Sequence, residues 1–141
     1  MTNHRKPPKP PFYYSGGNGV CRQCGYTILR PDGRQNFRAN WHPACVKEYR
    51  LIHFPADTRK AVWKRDQGVC GYCGVQCSRT AWDVEHVKPL YEANGDLDYW
   101  KMSNTVTACL PCHKKKSAKE AAERAAKRRA EKAVDEGSSP E

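Results

Sequence analysis

The sequence has no long apolar run, which excludes a membrane-spanning segment on this pattern. Apolar residues amount to only 38%, too few for a large oily core. Acidic residues are in deficit: 15 Asp and Glu face 25 Lys and Arg, a formal net charge of +10. That excess favours a polyanionic partner, nucleic acid before an acidic membrane surface, and no membrane association is expected. No apolar stretch follows the basic, proline-rich start at Met1 to Pro11, so the pattern of a secretory signal is missing as well. An intracellular, reducing compartment is therefore expected, such as the cytoplasm. At 141 residues the chain has room for one domain, or for two very small ones with tails.

Against these shortages stand eight cysteines, at 21, 24, 45, 70, 73, 77, 109 and 112. In a reducing compartment disulfides are a poor reading of them. Three pairs, Cys21/Cys24, Cys70/Cys73 and Cys109/Cys112, have the C-x-x-C spacing of zinc knuckles. Zinc also compensates for size, since modules this small rarely hold together by core burial alone.

Composition divides the chain into four parts. Residues 1–20 carry Arg5, Lys6 and Lys9 with no acid, and four prolines. This predicts a disordered basic arm, whose Phe12, Tyr13 and Tyr14 either touch the next module loosely or stack on bases. Residues 21–54, net +4, place Cys21, Cys24, His42 and Cys45 in a C-x2-C-x17-H-x2-C pattern. Pro31-Asp32-Gly33 predicts a turn between two short extended runs, and Pro43 predicts a helix start. Such a hairpin and helix would close a tetrahedral zinc site. In ligand spacing alone this segment resembles the first zinc-binding half of a LIM domain, or a similar treble-clef finger. It leaves open DNA grip, protein contact or a structural cap.

Residues 55–116, net +3, hold Cys70-x-x-Cys73 and, 35 residues on, Cys109-x-x-Cys112. Two such pairs predict a four-cysteine zinc site. Asp57 is expected to cap a helix through Arg65 that ends at Gly68. Trp82, Val84 and His86 alternate with Asp83 and Glu85 as in a strand. Thr105-Val106-Thr107 reads as a second strand, and Pro111 opens a helix carrying Cys112, His113 and Lys114-Lys115-Lys116. Residues 117–141, net zero, are alanine-rich and predict a solvated charged helix fraying toward Ser138-Ser139-Pro140. Lys127-Arg128-Arg129 on it is a weaker phosphate-binding candidate.

Cys70, Cys73, Glu85-His86, Pro89, the Asn94-Gly95 turn, Asn104, Cys109, Cys112 and His113 resemble an HNH endonuclease over residues 59–116. That family is built as strand, strand and helix around one metal, often braced by a four-cysteine zinc site. The resemblance implies a small, zinc-stabilised α+β fold. It comprises a ββα-metal nuclease domain, a finger before it and a charged helix after it. One departure is visible: the residue before the first histidine is often Asp in the family and is Glu85 here. Either supplies a carboxylate oxygen.

Family pattern and chemistry together suggest roles. Phosphodiester hydrolysis needs an activated water and neutralised phosphate charge. His86 is expected to be the general base. Glu85 and His113 are expected to hold one catalytic divalent ion, magnesium or manganese. Cys112 and His113, about 100° apart on a helix, can face two different metals. Asn104 either fixes the loop holding His86 or joins the metal shell. Lys88, Lys114, Lys115 and Lys116 are candidate phosphate contacts.

Plainer readings exist for each: His86 as a strand-end histidine bonded to a carbonyl, His113 as a zinc ligand, Asn104 as a turn cap, the lysines as a solvated face. Cys77, His4 and His53 belong to no constellation, and the four tryptophans read as core anchors. The expected function is a metal-dependent endonuclease acting on double-stranded DNA, by a nick or a double-strand cut. The competing readings are a non-catalytic zinc-dependent nucleic-acid-binding protein and an adaptor whose finger contacts protein. A homodimer or a protein partner through the finger fits the same residues. Stand-alone proteins of the resembled kind are common in phages and mobile elements.

Overall fold

A computed structural model describes residues 6–137. His4, Arg5 and the expected fray at 138–141 lie outside them. The protein is a small α+β fold. In chain order it has α1 (Pro43–His53), α2 (Pro55–Asp66), β1 (Trp82–His86), β2 (Thr105–Cys109) and α3 (Leu110–Gly137). Three short 3-10 turns, Leu90–Glu92, Leu97–Trp100 and Met102–Asn104, fill the β1–β2 connection.

β1 and β2 pair antiparallel, with Trp82 opposite Cys109, Val84 opposite Thr107 and His86 opposite Thr105. The pleat sends Trp82 and Val84 to one face and Asp83 and Glu85 to the other. Trp82 is buried with Val62 of α2, Cys70, Cys77 and Cys109, and Trp63 and Val84 pack against this cluster. β2 runs straight into α3, so strand, strand and helix are continuous around one small core.

Helix α2 begins at Pro55, whose fixed φ suits a first turn. Asp57 does not cap it. Phe54 occupies the cap position without a side-chain bond, and Asp57 pairs with Arg50 of α1 at 2.7 Å. Asp57 is the third residue of the helix, inside the first turn rather than at the cap position. The helix ends in a left-handed Gln67 (φ 52) followed by Gly68 (φ 74).

Its last turn is tied to β2. Arg65 donates to the Met102 and Thr105 carbonyls at 2.8 and 2.7 Å, while Asp66 accepts from the Thr107 N–H and hydroxyl at 3.1 and 3.0 Å. The Arg65 guanidinium, then the Thr107 donors, hold the Asp66 carboxyl below the usual carboxylate range. Asp66→Ala is expected to destabilise the fold by about 2 kcal/mol at neutral pH, the scale of charged hydrogen bonds. A depressed carboxyl stabilises above its unfolded pKa and loses that contribution as pH falls through its folded value. The wild-type advantage, measured by urea unfolding of both proteins, should therefore shrink below about pH 4.

The Cys21–Cys24 and Cys70–Cys73 knuckles repeat one backbone design. Gly25 donates to the Cys21 carbonyl and Gly74 to the Cys70 carbonyl, both at 2.9 Å. Single bridges, Val20 with Thr27 and Val69 with Gln76, close each loop. They differ at Gly71: a Cβ there would collide with Val106 Cγ2, because this knuckle sits directly on β2. Around Pro31-Asp32-Gly33 the chain makes a short antiparallel hairpin: Leu29 bridges Gln35, Arg30 N–H donates to the Arg34 carbonyl and Asn36 N–H to the Ile28 carbonyl, both at 2.7 Å.

The segment expected to be a loose arm is held, over residues 6–20, against the finger. Pro10 is buried, Phe12 lies over Gly25, and Tyr13 stacks on Tyr49 of α1 at 6.1 Å. Lys9 Nζ donates to the Tyr49 hydroxyl at 2.6 Å. α1 is in turn fixed to the β1–β2 connection: Ile52 is buried with Ala93 and Trp100. Among the described residues no helix is long and apolar enough to cross a membrane.

Candidate active site and metal centres

Two clusters gather metal-ligating atoms within 4.8 Å of one another: Cys21, Cys24, His42 and Cys45, and Cys70, Cys73, Cys109 and Cys112. A tetrahedral zinc with bonds near 2.3 Å sets sulfurs about 3.8 Å apart. Cys73 Sγ and Cys109 Sγ are 3.6 Å apart, and His42 Nδ1 lies 3.3 Å from Cys24 Sγ and 3.8 Å from Cys45 Sγ. The other ring nitrogen of His42 sits 3.3 Å from the Thr27 carbonyl, a contact that leaves Nδ1 as the ligand atom.

The thiols show why a cation belongs there. Burial raises the Cys70 pKa, but the N–H groups of Cys109, Cys73 and Tyr72 outweigh it and bring it to about 6. Contact with Cys109, then burial, pushes Cys112 up to about 12. Four sulfurs this close cannot all ionise without positive charge between them. Both clusters could hold zinc. Cys77, outside the pattern, is a buried free thiol beside Cys70 and Cys109.

The second cluster ties the knuckle to the end of β2 and the first turn of α3. That turn then aims Cys112 at the sulfur cluster and His113 at β1. His113 Nδ1 contacts Glu85 Oε1 directly, and its Nε2 lies 3.8 Å from Asp83 Oδ2. Glu85 is buried, its other oxygen 3.6 Å from Lys116 Nζ. Lys116 also contacts Glu120 one turn on. Lys114, Lys115 and Lys88 are exposed, so the lysine run divides: one member faces the carboxylate and two face solvent.

His86, half-buried at the end of β1, and Glu85 line one groove of about 650 Å³, together with Asp83 and Lys116. The loop after His86 is pinned by Asn104. Its Oδ1 accepts from Lys88 N–H at 2.8 Å, and its Nδ2 donates to the Lys88 and Tyr99 carbonyls at 3.1 and 2.8 Å. Both amide hydrogens are thus committed to backbone.

Three groove residues escape the sequence reading. Asp83 shares Glu85's face by the period-2 rule, a signal available in the strand pattern. Arg59 lies over the Trp82 ring at 4.0 Å and 4.0 Å from Asp83, a placement with no local sequence signal. His53, without a constellation in sequence, forms part of the groove wall. Of the tryptophans, Trp82 and Trp100 are buried, whereas Trp41 and Trp63 are half-buried in aromatic clusters.

The strand–strand–helix unit, with a four-cysteine cluster that could hold zinc at its base, places Glu85 and His86 on one groove, His113 against Glu85, and Asn104 behind the loop after His86. Residues 70–119 match the family model of the HNH endonucleases. The DNA annealing helicase and endonuclease ZRANB3 of Mus musculus is 24% identical over 167 aligned residues, covering 86% of this chain and 15% of that protein. The protein of that name from Homo sapiens is 39% identical over 57 residues, 40% of this chain and 5% of its own length. The chain thus spans a small fraction of the curated relatives it matches. No solved structure matches it significantly.

Proposed function

We propose that the protein is a metal-dependent endonuclease that hydrolyses DNA phosphodiester bonds. The observation that carries this reading is the Glu85–His113 contact, with Glu85 and His86 lining one groove, in a chain whose residues 70–119 match the HNH family model. The named activity of the partial relatives supports DNA as substrate.

Glu85 Oε1 and His113 Nδ1 would hold the catalytic ion. The donor set fits: a buried carboxylate and an imidazole meet beside Lys116, with Asp83 adding a second carboxylate across the ring. Mixed oxygen and nitrogen donors with an open shell suit magnesium or manganese. Such an ion, when bound, would neutralise charge developing on the phosphate and the departing 3′ oxygen.

The chain's own residues do the rest. His86 takes a proton from the attacking water. Asn104 is a positioning residue: its three backbone bonds fix the loop that follows His86. Lys116 balances Glu85 and faces the incoming phosphate, while Lys88, Lys114 and Lys115 supply outer contacts. The zinc clusters are structural, holding α3 against β1 and α1 in the finger.

Plasmid nicking tests the reading. Supercoiled DNA should relax with magnesium or manganese and stay intact with EDTA. His113→Ala should lower the rate by at least about a hundredfold, the lower range for losing a positioned catalytic group. Binding without cutting, under every divalent ion tried, would establish the non-catalytic reading instead.

A further inference from the structure

We propose that His53 of α1 and Arg124 of α3 form a binding subsite for the DNA phosphate backbone, making the finger helix part of the nuclease's substrate groove. This rests on the nuclease reading and deepens it. Both residues line the groove that holds Glu85 and His86. His53 Nε2 and Arg124 Nε are each buried with no hydrogen-bond partner among the described residues. Buried polar nitrogens normally find partners, so two orphans in one groove wall point to a ligand rich in acceptor oxygens.

Each side chain is already braced. The His53 ring stacks on Tyr49 at 4.1 Å, and the neighbouring Ile52 is buried against Ala93 and Trp100. The Arg124 guanidinium lies over the Tyr91 ring at 5.1 Å. Bracing of this kind fixes the heads while leaving these two nitrogens unpaired among the described residues. Arg59 in the same groove is spent differently, donating to the Trp82 carbonyl at 3.2 Å and lying near Asp83.

Lys116, Glu120 and Arg124 fall at i, i+4 and i+8 of α3, on one helix face. Arg124 is therefore about 12 Å along the axis from Lys116. Two cations that far apart address different points along a strand, Lys116 beside Glu85 and Arg124 beyond it. Planar guanidinium and imidazole donors match phosphate oxygens.

His53→Phe keeps the stacked ring and Arg124→Met keeps the stem, and each is made alone and together. Binding of a fluorescein-labelled DNA duplex is read by anisotropy without divalent ions, across a salt series, with zinc content and thermal melting as controls. The double variant should bind about tenfold more weakly. Arg124→Met alone should flatten the log K against log salt slope by about one, the loss of one phosphate contact. In cleavage the loss should fall on KM more than on kcat. Wild-type affinity and slope in Arg124→Met, which lies on the helix outside both core clusters, would overturn the subsite whatever happens to His53→Phe. A wild type that binds DNA but cuts nothing overturns the nuclease reading and leaves the binding comparison standing. A wild type that binds no duplex overturns both.

Discussion

His86→Ala is expected to cut supercoiled DNA about a thousandfold more slowly than the wild type, with duplex affinity changed by less than about twofold. A positioned base contributes about 10² to 10⁴ in rate. The side chain sits at the last position of β1, followed by a loop whose backbone Asn104 holds at both the N–H and the carbonyl of Lys88. Such holding is the precondition for a base that must meet water and phosphorus in one geometry. Binding survives because the net charge of +10 is carried elsewhere, on lysines and arginines of every segment. Single-turnover cleavage with protein in excess, beside anisotropy on the same duplex, separates the two quantities. A variant that cuts at the wild-type rate would remove His86 from the chemistry and leave the groove without a base.

Loss of the four-cysteine metal has an effect of comparable size on the fold. Cys109→Ser is expected to lower bound zinc from two ions per chain to one and to shift tryptophan emission to the red. Structural zinc contributes on the order of 10–16 kcal/mol to small zinc-finger peptides, against a net stability of about 5–15 kcal/mol for a typical domain. The apolar core around Val62 and Trp82 is small, and two of its five buried members, Cys70 and Cys109, themselves belong to this cluster. Without the ion the first turn of α3 is no longer tied to the knuckle, and His113 loses its alignment on Glu85. Metal analysis with circular dichroism and fluorescence checks the outcome. Because the ligands must be thiolates, zinc release should begin at higher pH in any variant that weakens the site. A Cys109→Ser protein with native emission and one zinc would show that packing alone holds the ββα unit.

Local spacing made much of this molecule legible. The C-x-x-C pairs, the alternation through Trp82 to His86 and the prolines at 43 and 111 each act within a few residues. Helix periodicity separated Cys112 from His113 in the same way. One local expectation gave way to nearby geometry: Asp57 pairs with Arg50 rather than capping α2. Asp83 was readable from the strand period, yet it gains meaning only beside His113.

By itself the sequence determined the grouping of the cysteines with His42 and the strand–strand–helix order, because these follow from covalent spacing and backbone period, while the expected pairing of Glu85 with His113 came from the family resemblance. Tertiary structure alone decided which groups share the groove. His53, Arg59, Glu85, Lys116 and Arg124 come from α1, α2, β1 and α3, up to 71 residues apart. It also seated Pro10 and Tyr13 on the finger. The reason is physical: metal coordination and hydrogen-bond periodicity are written along the chain. A groove is instead a by-product of how helices pack around a small core, and no run of neighbouring residues encodes it.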